Sequence, residues 1–223
     1  MSPSISSIPG ARTVVADLTA NLNGIIAAVA GTSTPPPAGG SVAAAAGALA
    51  AALAQMVAGL TTGRPKYAHV ADEMQDAARR AGALASELST LVERDAAAYG
   101  AVAQAYRLPK GVGNAALTRY GHLQRAMIAA TESPLAIARA AAAVAVLSAE
   151  IAERGNTNAV ADAAVATLLA DAVCRAAALT VRVNAVALAD ASIAQRFTDD
   201  AADFTKSASE AVARALRAVE REC

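Results

Sequence analysis

The chain has no tryptophan, two phenylalanines and four tyrosines, so aromatic residues make up only 3% of its 223 positions. Charge of either sign is also in short supply: 19 basic and 19 acidic residues leave a formal net charge of zero. That balance excludes the excess of Lys and Arg on one face that a nucleic-acid footprint requires. The two cysteines, Cys174 and Cys223, lie mid-helix and at the last residue. They form neither a disulfide framework nor a metal-ligand spacing, so a reducing cytoplasm is the expected compartment. The two histidines, His69 and His122, are far apart in sequence and read as surface residues. No GxxxxGK[ST], GxGxxG between strand and helix, HExxH or CxxC motif occurs, and GVG at 111–113 is a turn. Nothing here points to a metal, a nucleotide or a covalent Cys or Ser nucleophile.

Apolar residues nonetheless make up 55% of the chain. Much of that excess is alanine, which favours helices and close helix–helix contact. The rest of the chain is organised around PPPAGGSVAAAAGALAAALAQMVAGLTT, residues 35–62. Its prolines and glycines hold an irregular approach. Ser41 stands where an N-cap belongs, and about twenty uncharged residues follow, with Leu49, Leu53, Met56, Val57 and Leu60 at helical spacing. This predicts a central buried helix. Gly39, Gly40 and Ser41 at its start would offer free amides to an anion or an electron-rich ring edge, although a simple cap accounts for the same residues. Residues 42–60 are long enough to span a bilayer. Alanine is only marginally apolar, however, Gln55 lies mid-span and no Lys/Arg cluster flanks the stretch, so a soluble helix is expected. The N-terminus shows no basic segment followed by an apolar run, and no secretory signal is expected.

Apolar spacing predicts further helices at 12–30, 67–106, 114–131, 134–153, 157–196 and 199–221. Gly63 and Pro65, then Leu108 to Gly113, then Ser133-Pro134 and Arg154-Gly155-Asn156 punctuate them. Strand alternation is absent. The expected class is all-α: one domain over 1–223, a multi-helix bundle with two long helices.

Four motifs resemble the cyclodeaminase/cyclohydrolase family, which includes methenyltetrahydrofolate cyclohydrolases and the C-terminal domain of formiminotransferase-cyclodeaminase. They are PPPAGGSVAAAAGALAAALAQMVAGLTTGRPKY, DAAAYGAVAQAYRLPK at 95–110, ESPLAIA at 132–138, and GNTNAVADAAVATLLADAVCRAAALTVRVN at 155–184 with Asp190 beyond. The match runs over about residues 30–195. Two positions depart from the pattern: Ala38 replaces the first of three glycines, and Ala161 replaces the serine of Asn-x-x-Ser-Asp, here Asn158 to Asp162.

The resemblance implies a tetrahydrofolate derivative as substrate, no permanently bound cofactor, no metal, and a homodimer. Hydrolysis of a methenyl bridge needs a base for water and an acid for the departing nitrogen, work that a buried carboxylate and an ammonium can perform. Asp95, Lys110 and Asp162 become the candidate catalytic residues. Gly39, Gly40, Ser41, Tyr99, Tyr106, Asn156, Asn158, Asn184 and Asp190 become candidates for binding substrate. Asp95, Tyr99 and Tyr106 fall within about 40° on one helix face. Asn184 has nearly the facing of Asp162 but lies roughly 33 Å along a straight helix, so a helix break, a second subunit or a structural role must account for it. Three functions compete: methenyltetrahydrofolate hydrolysis, a recruited relative acting on another imine or amidine carbon, and a non-catalytic helical dimerisation module.

Overall fold

The computed structural model describes residues 11–32 and 38–222, with side chains from residue 17 onward. The proline run at 35–37, both ends of the chain and Cys223 lie outside the described residues. Among those described there are six α-helices and no strand: α1 (Ala11–Ala30), α2 (Gly39–Thr61), α3 (Ala71–Arg107), α4 (Asn114–Arg154), α5 (Val160–Ala185) and α6 (Ala191–Glu220). Short 3-10 turns at Pro65–Val70 and Thr157–Ala159 lead into α3 and α5. The connections from α2 onward are short, so successive helices run antiparallel, and α2 through α6 pack into one bundle. The side chains of α1 described from Asp17 onward are all exposed.

Small residues set the packing. The buried face of α2 is Gly40, Ala43, Ala44, Gly47, Ala50, Ala51, Ala54 and Ala58, with Val57 and Thr61. A Cβ on Gly47 would stand 3.2 Å from Leu88 and 3.3 Å from Val173, so α3 and α5 both close tightly on that point. Larger side chains fill the centre from α3 and α4: Leu88, Ile137, Leu147 and Ile151 are almost wholly enclosed. Burying each contributes about 1.5–3 kcal/mol. Of the leucines of α2, only Leu53 is partly buried against this core. Leu49 is 66% exposed, and Met56 and Leu60 are over 40% exposed. The alanines face inward because only they allow three helices to approach one axis.

Four boundaries differ from the sequence expectation. Ser41 is not the N-cap of α2. The helix and its cap lie three residues earlier, with Ala38 at the cap and no side-chain capping bond, and the Ser41 hydroxyl is turned toward α3 instead. The segment predicted as one helix from 67 kinks at Tyr67 and starts as a 3-10 turn, since the phenol is drawn inward to the α4–α5 junction. Helix α4 runs unbroken from 114 to 154 with Pro134 inside it. Proline leaves the carbonyl four residues back without its donor, and that carbonyl, on Ala130, accepts a bond from Asn184 Nδ2 at 2.7 Å. The last break falls at 186–190, not near 197, because Asp190 caps α6. Gln124 also holds the connecting loop through Ala187 O and Ala189 N.

Candidate active site

Asp95 sits about two-thirds of the way along α3, where that helix crosses the first turn of α2. It is only 8% exposed. Ser41 Oγ lies 3.0 Å from Asp95 Oδ2 and 3.2 Å from Val92 O, so its one proton is shared between them. Ser133 Oγ, fully buried on α4, donates to Asp95 Oδ1 at 3.4 Å. The carboxylate therefore has a hydroxyl on each oxygen, and each oxygen retains a lone pair. Gly40 makes the placement possible: a Cβ there would lie 2.4–2.6 Å from the three carboxylate atoms. Any side chain there would force the carboxylate to move, and the carboxylate rests at the positive end of the α2 dipole.

A cavity of about 250 Å³ opens beside it, walled by Ala38 to Gly40, Asp95, Tyr99, Met127, Ala130, Thr180 and Asn184 among others. Asp95 is its one charged residue among the described lining. The volume falls below the roughly 300–1,000 Å³ of sites that enclose a drug-sized ligand. It takes the head of such a molecule and leaves the remainder outside.

The candidates thus divide. Gly39, Gly40, Ser41, Asp95, Tyr99 and Asn184 converge at this end of the bundle. Tyr106 does not line the cavity; its side chain is 55% exposed and its carbonyl accepts from Arg119. Lys110 is exposed in the α3–α4 loop. Twelve helical steps separate Asp95 from Arg107, a rise of about 18 Å, and Lys110 is not among the described residues that line the cavity. Asp190 is occupied as the α6 cap, accepting from Ser192 and Ile193. The Ser192 hydroxyl first, then the two amides, hold its carboxyl below the usual range.

Asn156, Asn158 and Asp162 lie at the other end of α5, which is unbroken. Asn156 is 3% exposed, and its side chain is consumed internally. Oδ1 accepts from Asn158 N at 3.1 Å and from the Tyr67 hydroxyl at 3.5 Å, while Nδ2 donates to Leu60 O at 3.4 Å. Its own amide donates to Thr61 Oγ1. Tyr67 in turn accepts from the Thr157 amide at 3.0 Å and meets Thr157 Oγ1 at 3.2 Å. Those bonds, the Thr157 hydroxyl foremost, pull the phenol below its ordinary pKa. Asn158 and Asp162 are exposed. Ser133 is the residue that reading the sequence missed as a site residue, though it lies inside ESPLAIA, a motif the sequence does display. Among the described residues no three His, Cys, Asp or Glu converge as a metal would need.

Residues 21–203 match the family model described as formiminotransferase-cyclodeaminase. The chain belongs to that family. A methenyltetrahydrofolate cyclohydrolase of Methylorubrum extorquens is 40% identical over 148 residues, covering 66% of this chain and 71% of that one. The formimidoyltransferase-cyclodeaminase of Mus musculus is 30% identical over 143 residues, 64% of this chain, which spans only 26% of the mouse protein. The fold is shared with the crystal structure of a formiminotetrahydrofolate cyclodeaminase from Thermotoga maritima. The two superpose with a TM-score of 0.80 at 26% identity, over 88% of this chain and 93% of that one. The all-α class and the family resemblance read from the four motifs are both borne out.

Proposed function

We propose that this chain hydrolyses the one-carbon bridge of 5,10-methenyltetrahydrofolate, giving 10-formyltetrahydrofolate. The observation that carries the reading is the lone buried carboxylate in an otherwise uncharged cavity. The methenyl bridge is a cationic amidinium, and Asp95 supplies a fixed counter-charge where low dielectric strengthens the attraction. Similarity to the Methylorubrum extorquens cyclohydrolase supports the substrate.

Water adds to the bridge carbon while Asp95 takes one of its protons. A carbinolamine forms between N5 and N10. The carboxylic acid then returns that proton to N5 as the carbon–N5 bond breaks. The second water proton leaves as the carbonyl of the N10-formyl group forms, so one proton is released per turnover. Ser41 and Ser133 orient the carboxylate throughout. In this scheme Asp95 is both base and acid, and Lys110 takes no part in the proton transfers.

The working unit is an isologous dimer, located in the reducing cytoplasm. Val165, Leu168, Leu179 and Val183 form an exposed apolar stripe along α5, and Leu49 and Met56 are exposed on α2. Ala161, in place of the family serine, begins that stripe. A two-fold axis across it runs each α5 against its partner and carries Asn158 and Asp162 of one copy to the cavity of the other. That supplies walls for the part of the substrate which 250 Å³ leaves outside. Helices α2, α4 and α5 are long and apolar enough to cross a membrane, but the α4 window is 67% buried inside the bundle, where packing accounts for its apolarity.

The test is the decay of the methenyl chromophore with purified protein against spontaneous hydrolysis in the same buffer, together with light scattering. Acceleration by a dimer, lost in both respects on Leu179→Arg, supports the reading; no acceleration by the folded dimer overturns it. Ammonia release from a formiminotetrahydrofolate would favour a second reading, for which the Thermotoga maritima fold match speaks.

A further inference from the structure

The proline in α4 and the asparagine at the end of α5 form one device. Pro134 has no amide hydrogen, so the carbonyl of Ala130 lacks its helical donor. Asn184 Nδ2 takes that donor's place at 2.7 Å. A carbonyl can only accept, so the atom against it must be the amide nitrogen, and Asn184 Oδ1 is left pointing away with no donor among the described residues. Ala130 and Asn184 both line the cavity that holds Asp95. The residue next to the proline, Ser133, is the one that donates to Asp95 Oδ1. The gap in the helical ladder therefore fixes one wall group directly and lies beside the support of the other.

We propose that Asn184 is a specificity residue whose side-chain oxygen, oriented by the carbonyl that Pro134 leaves free, accepts a hydrogen bond from the substrate. Asp95 keeps its place at the reacting bridge, and Asn184 adds a separate neutral acceptor to the cavity, which selects a ligand edge bearing N–H donors away from the reacting carbon. The aminopyrimidinone part of a reduced pterin carries such an edge. The choice of that ligand rests on the folate reading above; the orienting device does not. A site built to bind N–H groups also rejects analogues lacking them, because its own acceptors would be left unpaired.

Thermal unfolding of four proteins separates the two halves: the parent, Asn184→Ala, Pro134→Ala and the double variant. Asn184→Ala should lower Tm by about 2–4 °C while Pro134 is present, because a partly buried carbonyl loses its donor. The loss should shrink by at least half in the Pro134→Ala background, where the new backbone amide restores the helical bond. Equal losses in both backgrounds overturn the device. In the chromophore assay, Asn184→Ala should raise KM about tenfold or more with a smaller change in kcat. A KM within threefold of the parent overturns the acceptor role. If the parent proves inactive, calorimetric titration with tetrahydrofolate reads the same half. Binding weakened tenfold by Asn184→Ala sustains it, and equal or absent binding overturns it. The unfolding cycle stands whichever way that result falls.

Discussion

The two ends of α2 carry the two polar clusters of the core, and they are finished differently. At the C-terminal end Thr61, Tyr67, Asn156 and Thr157 bond to one another and to backbone until no polar atom of Asn156 is left over. At the N-terminal end Asp95 has its two supports, Ser41 and Ser133, yet both oxygens keep lone pairs facing a cavity. Buried polar groups are normally satisfied. A closed network locks helices together, whereas an open one is held ready for a ligand. The comparison teaches that burial and residue type do not separate structure from function here; what remains unpaired does.

The largest effect should come from the open end. Asp95→Asn keeps the shape and removes the proposed proton acceptor, so kcat/KM should fall about 10²–10⁴-fold, with Tm within a few degrees of the parent. A fall below tenfold in the chromophore assay would erase the distinction between the ends. Next is Gly40→Ala, whose Cβ would collide with the Asp95 carboxylate at 2.4 Å. Displacement by about 1 Å can cost 10²-fold in rate, so activity should fall about 10–100-fold and Tm should drop as well. Gly59, on the same helix, has open space around it; Gly59→Ala should raise stability by about 0.5–1 kcal/mol without touching turnover, which isolates the collision as the cause.

The closed end should show the reverse pattern. Tyr67→Phe leaves the Thr157 amide and hydroxyl short of a partner and should cost about 1–3 kcal/mol, or roughly 2–10 °C in Tm. Turnover per folded molecule should stay within tenfold, and a catalytic collapse without a drop in Tm would reverse the assignment. A smaller effect, of opposite sign, is expected between the ends. Ser148 Oγ is buried with no partner among the described residues, so Ser148→Ala should stabilise by about 1 kcal/mol in denaturant titration.

The smallest effect concerns acid. Arg214, bonded to Glu153 at 2.7 and 3.1 Å, holds that carboxyl below its usual range, and the α6 cap does the same for Asp190. Both folded values are depressed. Their contribution is therefore complete above the unfolded values near pH 4 and is lost as pH falls through the lower folded values. Replacing Glu153 by Gln should flatten the decline in stability between about pH 5 and 2 while leaving the neutral activity profile unchanged. An unaltered acid limb would show that the Arg214 pair contributes nothing.

Much of the candidate site was legible in the residues. Asp95 and Tyr99 share a helix face by spacing alone, and Gly39-Gly40-Ser41 announces a helix start that something must approach. Ser133 was hidden because a serine before a proline reads as punctuation between two helices. Its neighbour Pro134 lies inside one helix, and Asn184, 50 residues later, caps the carbonyl it leaves exposed. Asp190 was drawn toward the site by its place beyond the fourth motif, yet its Asp-x-Ser pattern was already a cap signal. Lys110 does not line the cavity of its own chain, because spacing gives the facing of a helix but not how far the helix outruns the cavity.

By itself, then, the chain determined its class and its partners in packing. Alanine and glycine at helical spacing, with no strand alternation, permit only closely packed helices, and four ordered motifs tie them to one family. Which faces turn inward was a tertiary decision. On α2 most alanines went in while Leu49 and Leu60 went out, because the space among three helices there admits a methyl group and not an isobutyl group. The cavity was likewise decided in three dimensions. A hydroxyl from α2, another from α4 and a carboxylate from α3 meet only when Gly40 lets two backbones close to contact. No single stretch of sequence contains that distance.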